Sequence, residues 1–269
     1  MSGMQHRVTG HFGEWLQGRL GPCGPVALIT LPCPALHVTA EKLAEGEFRL
    51  CQPEPQLLPE SRARKFFASL GLPCEGHYRL SANMPAGGGA GSSTAALLAL
   101  ARAAGHGRQG LATACVAAEG ASDPLMLPSP DAVLWAPREG RVLTALTAPP
   151  AFEIIGGFLG PPEWTDPEDL HFPDITDLVD AWISADGDRA ELARIASLSA
   201  ARTTALRGPT GDPMPALADR LGALGHVRAH TGSARGLIFA PAAVPKGAEA
   251  ALANAGLRNV LRFRTGQQS

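Results

Sequence analysis

Apolar and polar positions along the first half of the chain predict a β-rich opening followed by helices. Residues 26–40 are rich in β-branched side chains and alternate around prolines, which predicts a strand, a turn and a second strand. Apolar residues at helical spacing predict a helix over 61–70 that stops at Gly71. A strand over 78–82 leads into a glycine cluster, after which residues 92–104 are almost all helix formers. Further predicted elements are short strands at 48–51, around Trp135 and at 142–146, and a helix at 109–119.

Two adjacent prolines divide this pattern near the middle of the chain. Pro149 and Pro150 cannot continue a central strand, so residues 1–148 and 149–269 are predicted to form two lobes. Beyond a strand at 152–155, the predicted order is a loop rich in proline and acidic residues at 161–173, helices at 175–183, 189–206 and 214–224, and a strand, a helix and a strand at 226–239, 246–255 and 260–264.

Composition and charge exclude several classes of protein. With 45% hydrophobic and 18% charged residues, the 269-residue chain can bury a core, and disorder is excluded as its main state. A net charge of −2 gives no electrostatic basis for binding nucleic acid or an anionic membrane. The five cysteines include no Cys-x-x-Cys pair, and no segment is typical of a signal peptide or a membrane span. The sequence therefore predicts a reduced, cytoplasmic protein with no nucleic-acid or membrane partner, and it leaves the oligomeric state open.

A glycine-rich segment carries the strongest chemical signal. It reads Pro85-Ala-Gly-Gly-Gly-Ala-Gly-Ser-Ser-Thr-Ala95 and lies between a predicted strand and a predicted helix. Glycines let backbone N–H groups approach oxyanions, and a helix start adds unpaired donors with a positive dipole. The segment lacks the lysine of a Walker A loop and does not match Gly-x-Ser-x-Gly or a Rossmann fingerprint. It predicts a phosphate site, with an ordinary helix start capped by Ser92 as the alternative.

Three segments resemble motifs of the GHMP kinases, the superfamily of galactokinase and the homoserine, mevalonate and phosphomevalonate kinases. The glycine-rich segment resembles their Pro-x-x-x-Gly-Leu-Gly-Ser-Ser-Ala-Ala signature, with Ala90 and Thr94 replacing a Leu and an Ala. Residues 13–18 (Gly-Glu-Trp-Leu-Gln-Gly) and 229–237 (Ala-His-Thr-Gly-Ser-Ala-Arg-Gly-Leu) are similar to motifs of the L-threonine kinases of cobalamin synthesis. The resemblance spans most of the chain apart from residues 161–173.

The resemblance implies an α+β fold with a β-rich N-terminal lobe that carries the glycine loop and a helix, and a ferredoxin-like C-terminal lobe. It also implies ATP and Mg²⁺ as cofactors, with Ser93 (or Ser92) and Glu119 as metal ligands and catalytic residues. Glu119 lies in an apolar helical stretch, where an unpaired carboxylate is costly to bury; a helix-end Glu exposed to water is the alternative. The residues implied to bind ATP are Pro85, Gly87, Gly88, Gly89, Ala90, Gly91, Ser92, Ser93 and Thr94.

Asp123 is the candidate catalytic base. The threonine kinases have a Glu-Pro-Thr-Asp segment with its Asp three positions after the Glu, whereas Ser122 occupies that position here and Asp123 follows it. If the chain bulges after Gly120, the Asp123 carboxylate faces the substrate hydroxyl. Otherwise Asp123 belongs only to an Asp-Pro turn.

The first and third motifs supply the implied substrate-binding residues. Glu14 would bind the ammonium of an amino acid, and Gln17 would bind its backbone or hydroxyl groups. An ordinary polar pair on a strand or turn is the alternative for these two residues. Thr231, Gly232 and Ser233 form a second turn of small residues that would close over the phosphates or the carboxylate of the amino acid.

The other polar residues near these motifs are assigned no chemistry. His11 is predicted to be structural, and Arg235 is predicted to be solvated although it is able to pair with an anion. His226 and His230 lack the Cys or carboxylate neighbours of a zinc site.

The resemblance implies a kinase whose partners are ATP and a small-molecule substrate, an amino acid. The implied reaction is phosphorylation of L-threonine to O-phospho-L-threonine for cobalamin synthesis. One alternative keeps the fold and changes the acceptor to homoserine or a mevalonate-like alcohol. Another is a noncatalytic protein that binds a nucleotide or metabolite, motivated by the displaced Asp123 and the divergent residues 161–173.

Overall fold

The computed structural model describes residues 4–164 and 166–266, and these residues form ten strands and seven helices. The predicted order of strand, glycine loop and helix is confirmed at residues 75–103. The strands are β1 (Gln5–Arg19), β2 (Val26–Glu47), β3 (Arg49–Cys51), β4 (Glu75–Ala82), β5 (Val133–Ala136), β6 (Arg141–Ala145), β7 (Glu153–Phe158), β8 (Gly225–Arg228), β9 (Ala234–Phe239) and β10 (Arg258–Arg264). The helices are α1 (Glu60–Ser69), α2 (Ser92–Ala103), α3 (Leu111–Glu119), α4 (Thr176–Ser184), α5 (Arg189–Arg207), α6 (Met214–Leu221) and α7 (Ala248–Asn254).

The strands form one mixed sheet in which the two halves of the chain meet at a single pair of neighbouring strands. The order is β10-β7-β9-β8-β1-β2-β4-β3, with β5 pairing to β2 and β6 pairing to β5. Strands β1 and β8 join the halves, and the paired residues are Glu14 and Arg228. A residue implied to bind substrate therefore lies on the seam between the halves.

Helix α2 lies against β1 and β2 and is buried on all sides. Every residue from 94 to 101 is buried, and alanine and leucine occupy almost all of these positions. A helix that is apolar all round is a buried core helix. The start of α2, which follows the glycine loop, is therefore held on a fixed support.

Strand β1 was absent from the elements predicted from the sequence. Residues 10–17 are buried without alternation, and they include the polar side chains His11, Glu14 and Gln17. Because both faces of this stretch are covered and polar residues lie inside, the two-residue period that marks a half-exposed strand is missing. Two of these buried polar side chains, His11 and Glu14, belong to the cavity described below.

Two predicted elements need correction. Residues 26–40 form one long strand, β2, and the predicted turn is wrong: pairing with β1 shifts from Thr9–His37 to Gly10–Cys33, so the extra residues, including Pro34, form a bulge. The single strand predicted over 226–239 is also wrong, because β8 and β9 are separated by the loop 229–233.

The α+β class predicted from the sequence is confirmed. The boundary between residues 148 and 149 stays a prediction, and it lies in the connection between β6 and β7. Among the residues that the structure describes, no helix is both long and apolar enough to cross a membrane.

Candidate active site

A cavity of about 490 Å³ lies where the glycine loop (residues 85–91), the start of α2, the end of α3, strand β1 and the loop 229–233 converge. This volume is typical of a site for a small-molecule ligand. Several residues implied by the sequence line it together: Glu14, Gly87, Gly89, Ala90, Gly91, Ser92, Ser93, Thr94, Glu119, Asp123 and Thr231. The first and third motifs thus meet the glycine loop in one cavity.

The N-terminus of α2 opens into this cavity without a side-chain cap. Its N-cap is Gly91, in the left-handed conformation with φ 70°, and Ser92 is already the first residue of the helix. The alternative of a helix capped by Ser92 is therefore wrong. The N–H groups of Ser92, Ser93 and Thr94 have no acceptor within the helix, so they present unpaired donors and a positive dipole to an anion.

The loop 229–233 holds the glycine loop in shape. The N–H groups of Ser233 and Ala234 both donate to the carbonyl of Gly88, at 3.1 and 2.9 Å. A Cβ on Gly232 would lie 2.4 Å from the Gly89 nitrogen, so this contact requires glycine. Gly232 and Ser233, like Pro85 and Gly88, are not among the cavity-lining residues. They support the loop from behind.

Ser93 and Glu119 present unpaired oxygens at one end of the cavity. Ser93 Oγ and Glu119 Oε1 are buried atoms with no hydrogen-bond partner within residues 4–164 and 166–266. Burial raises the pKa of Glu119 to about 7, opposed by the nearby Ser93 hydroxyl and by Arg62. The alternative of a water-exposed Glu at a helix end does not fit this environment. A hydroxyl beside a carboxylate, each with a buried oxygen, is a suitable pair of ligands for a hard cation.

His11 connects two carboxylates of the cavity lining. Its Nε2 lies 3.4 Å from Asp123 Oδ2, and its Nδ1 lies 3.7 Å from Glu14 Oε1. The Asp123 backbone N–H donates to Thr94 Oγ1 at 3.3 Å, which ties the segment after α3 to the start of α2. Glu14 Oε2 accepts the His230 N–H at 2.6 Å. Asp123 therefore lines the cavity despite its displacement by one position in the sequence.

Electrostatics in this cluster favour a protonated His11 beside an ionised Asp123. Burial lowers the pKa of His11, but Asp123 and Glu14 outweigh it and raise that pKa to about 9. Burial tends to raise the pKa of Asp123, and the charge of His11 reverses this and lowers it. Burial raises the pKa of Glu14 to about 7, opposed by His11. One imidazole is shared by the two carboxylates, so a further cation near Glu14 would favour the ionised form of its carboxyl group.

Residues 161–164 and 166–173, here called the strap, border the cavity through Glu163 and Trp164. The Glu163 N–H donates to the Gly87 carbonyl at 2.9 Å, and the Trp164 side chain lines the cavity while remaining 55% exposed. Phe172 stacks on the His230 ring with centroids 4.1 Å apart. Burial, assisted by nearby arginines, lowers the pKa of His230 to about 3, so this imidazole is neutral.

Gln17 does not reach the cavity. Its side-chain amide donates to the Arg228 carbonyl at 3.2 Å, and its backbone N–H donates to Ser199 Oγ at 3.0 Å. Both contacts lie on the seam between the two halves of the chain. Arg235, predicted to be solvated, is instead buried and paired with Asp212 at 3.3 Å. These two polar residues therefore stabilise the scaffold around the site.

Sequence reasoning missed several cavity residues. His11 was predicted to be structural, yet it contacts both Glu14 and Asp123. Its position three residues before Glu14 on a bulged strand was the only available signal. Arg62 from α1 and Arg138 from the turn after β5 also line the cavity, and nothing in their local sequence marks them.

Comparison with known proteins identifies the fold. No protein-family model matches the chain, and no curated protein sequence matches it. Solved structures do: the Methanococcus jannaschii mevalonate kinase (12% identity, 97% of this chain and 97% of that chain, TM-score 0.63) and the Streptococcus pneumoniae phosphomevalonate kinase (13%, 97% and 98%, 0.62). The homoserine kinase from Cytophaga hutchinsonii is similar too (14%, 97% and 93%, 0.57).

These neighbours are small-molecule kinases of the GHMP type, and the similarity covers nearly the whole of both chains. The protein therefore has the two-lobe α+β fold of the GHMP kinases, as its sequence motifs imply. Because one fold hosts several chemistries, the activity has to be argued from the site.

Proposed function

We propose that the protein is an ATP-dependent kinase that phosphorylates the hydroxyl of L-threonine to give O-phospho-L-threonine, the intermediate required for cobalamin synthesis. One observation carries this proposal. A single cavity joins the uncapped start of α2, with its Ser93 and Glu119, to the Asp123 and His11 pair. The first end suits a nucleotide phosphate with its cation, and the second suits an acceptor hydroxyl.

At the phosphate end, the backbone N–H groups of the glycine loop and of the first turn of α2 would bind the phosphates of ATP. Ser93 and Glu119 would hold Mg²⁺, since their buried oxygens have no partner in the described part of the chain. When bound, the ion offsets negative charge on the transferring phosphoryl group. The Arg62 guanidinium, which lines the cavity, adds positive charge at this end.

At the acceptor end, Asp123 would act as the general base. Its carboxylate takes the proton of the substrate hydroxyl as the hydroxyl oxygen forms its bond to the γ-phosphorus. The bond from that phosphorus to the bridging oxygen breaks, and ADP leaves. His11, positively charged and 3.4 Å away, keeps Asp123 ionised and oriented before transfer.

The charge of the cluster favours an acceptor with an ammonium group. Glu14 and Asp123 share one imidazole, and an ammonium near Glu14 would favour the ionised form of that carboxyl group. A mevalonate-like acceptor has no ammonium to pair with Glu14. L-Threonine and L-homoserine both satisfy this condition, and the sequence similarity of residues 13–18 and 229–237 to threonine kinases favours threonine.

The test is ADP release from Mg·ATP with L-threonine, L-serine, L-homoserine and mevalonate as separate acceptors. We expect L-threonine to give the highest kcat/KM, with some turnover of L-serine, because a pocket for one methyl group discriminates by only about 1–3 kcal/mol. Phosphorus NMR would identify the O-phosphate product. Turnover of mevalonate alone would contradict the amino-acid assignment, and nucleotide binding without any turnover would favour the noncatalytic alternative.

The variant Glu119→Gln tests whether Glu119 binds the metal ion. It keeps the shape of the side chain and removes the charge that a hard cation requires. We expect kcat to fall at least about 100-fold while L-threonine affinity is nearly unchanged. Glu139→Gln, a partly exposed residue of the β5–β6 turn that pairs with Arg141, is the control and should retain full activity.

A further inference from the structure

Arg138 places a positive charge in the cavity. It follows Pro137 in the turn between β5 and β6, and it is a lining residue of the cavity together with Glu14 and Asp123. The Pro137 carbonyl accepts the Ser122 N–H at 2.8 Å, so this turn is fixed to the residue next to Asp123. The arginine is therefore held by the same short segment that presents the candidate base.

Contacts locate Arg138 at the acceptor end of the cavity. Its guanidinium lies 5.8 Å from the centre of the Phe172 ring, and the same ring stacks on His230. The His230 backbone in turn binds the Glu14 carboxylate. Arg62 is the corresponding cation at the other end, near Glu119. The two arginines thus serve different ends of the cavity.

The guanidinium of Arg138 has spare donors. One nitrogen, Nη2, donates to the backbone carbonyls of Asp166 and Asp169 in the strap. No carboxylate lies within 4 Å of the Arg138 guanidinium among residues 4–164 and 166–266, because the Asp169 carboxylate pairs with Arg207 at 2.8 Å. Burial lowers the pKa of Arg138, opposed by the more distant carboxylates of Asp169, Asp166 and Glu168, and an arginine stays charged. A cation that lines a cavity and binds only neutral carbonyls is suited to receive an anion.

We propose that Arg138 binds the carboxylate of the amino-acid acceptor while Glu14 binds its ammonium. This inference rests on the proposed function, and it assigns a binding residue to the substrate carboxylate, for which that function names none. A guanidinium matches a carboxylate through two parallel N–H···O bonds, which fixes orientation as well as position. With opposite charges held at the two sides of the α-carbon, the side-chain hydroxyl is directed toward Asp123.

The alternative role for Arg138 is to anchor the strap, and Arg207 provides a matched control for it. Arg207 also lies against Phe172, at 4.4 Å from the ring centre, and also binds the strap through Asp169. It is not among the residues that line the cavity. Loss of Arg207 therefore loosens the strap without removing a cation from the lining of the cavity.

The experiment measures kcat/KM for L-threonine and for L-threonine amide, which lacks the negative charge. In the unaltered protein the amide should be the poorer substrate by about 10- to 100-fold, the usual value of a charge-assisted hydrogen bond. Arg138→Met should lower kcat/KM for L-threonine by a similar factor and change that for the amide by less than about threefold. Arg207→Met should lower both by the same factor.

Equal losses on both substrates in Arg138→Met would overturn the assignment, because they are the result expected from a strap anchor. Arg138→Lys keeps the test open if the methionine variant does not fold; it should retain part of the preference for L-threonine over the amide. If the unaltered protein phosphorylates neither compound, the proposed function is wrong and the assignment of Arg138 falls with it. If the unaltered protein phosphorylates L-threonine and the amide equally well, the assignment of Arg138 is wrong and the proposed function stands.

Discussion

Asp123 shows how a side chain can reach a site from a displaced position in the sequence. Ser122, which occupies the position of the acid in threonine kinases, is 1% exposed, and its carbonyl accepts the Trp135 indole N–H at 2.6 Å. Its N–H is bound to Pro137 as well. The backbone is thus fixed at residue 122, whose side chain is buried, and Asp123 next to it lines the cavity.

Replacement of Asp123 by Asn tests its role as a base. We expect kcat to fall by about 10²–10⁴-fold with ATP affinity preserved, because a general base contributes that much and Asn cannot accept the proton. Steady-state kinetics and calorimetry give the two quantities. The double variant Ser122→Asp, Asp123→Ser restores the spacing of the threonine kinases, yet it should also be inactive, since it buries a charge beside Trp135. Full activity in Asp123→Asn would show that Asp123 is not the base and serves only the Asp-Pro turn.

The buried imidazole of His11 makes stability depend on pH. Its pKa is raised to about 9, from an ordinary value of 6.5, by Asp123 and Glu14 acting against burial. The stabilisation is therefore complete below about pH 6.5 and is lost as the pH rises through about 9. The free-energy difference of unfolding between the native protein and His11→Gln should shrink by about 2 kcal/mol between pH 7 and 9.5.

Urea unfolding at these two pH values measures this difference. Glu14, whose pKa burial raises to about 7, is half ionised at the lower pH and fully ionised at the higher one, a change that contributes only about 0.4 kcal/mol. His77→Gln, a half-buried histidine on β4, is the control and should track the native protein at both pH values. A constant difference between the native protein and His11→Gln would show that His11 is not charged in the folded state.

At the scale of elements, the contact between the glycine loop and the loop 229–233 leaves no room for a side chain at Gly89. A Cβ on Gly89 would lie 2.3 Å from both the Ala229 Cβ and the Thr231 carbonyl oxygen. Gly71 has a similar positive φ, +66° against +74°, but a Cβ there meets nothing within 4 Å. Substitutions at these two positions therefore distinguish the effect of backbone strain from that of steric overlap.

Gly89→Ala should weaken ATP binding strongly and lower the melting temperature, because the two loops have to move apart. Gly71→Ala carries only the cost of a left-handed alanine, about 1 kcal/mol, and should leave ATP binding unchanged. Calorimetric titration with ATP and thermal unfolding of both variants provide the comparison. Equal effects at the two positions would mean that the loop contact contributes nothing to the nucleotide site.

Elements that follow a local rule could be predicted from the sequence, and those set by distant contacts could not. Helix α2 follows from its run of helix formers, and α3 ends where Gly120 adopts a left-handed conformation with φ 79°. The turn predicted within 26–40 is wrong because Pro34 is accommodated in a bulge whose register is set by β1. Strand β1 was not predicted because its buried polar residues erase the alternation of a strand.

The candidate site divides in the same way. The glycine loop, Ser93 and Glu119 are found from local spacing, since one turn and one helix end place them. His11, Arg62 and Arg138 come from three separate elements, and only the folded sheet brings them to one cavity. Nothing within a few residues of an arginine distinguishes one that lines a cavity from one that is solvated.

At the scale of the whole molecule, aromatic side chains of β1 bind the two halves into one core. Phe12 packs edge-on against Phe158 and Phe263, with ring centroids 5.7 and 5.6 Å apart. Trp15 lies 5.1 Å from Phe152 and 6.0 Å from Trp182 by the same measure. In each of these contacts the β1 residue belongs to the first half of the chain, and its partner belongs to the second half.

The shared core predicts a single cooperative unfolding transition. Phe12→Ala should destabilise the protein by about 3–5 kcal/mol, the cost of removing a fully buried aromatic ring. Because Phe12 contacts the second half, the variant should lose stability in both halves together. Calorimetry should show one peak at a lower temperature, whereas two resolved peaks would show that the halves unfold independently.

The exposure of Trp164 gives the protein a built-in optical probe. The chain has four tryptophans, and Trp15, Trp135 and Trp182 are 0%, 2% and 4% exposed, whereas Trp164 lines the cavity and is 55% exposed. A ligand that displaces water from this indole should shift its emission to shorter wavelength, while the three buried rings supply a constant background. Trp164→Phe should abolish the shift, so occupancy of the cavity becomes measurable by fluorescence titration without a label and without turnover.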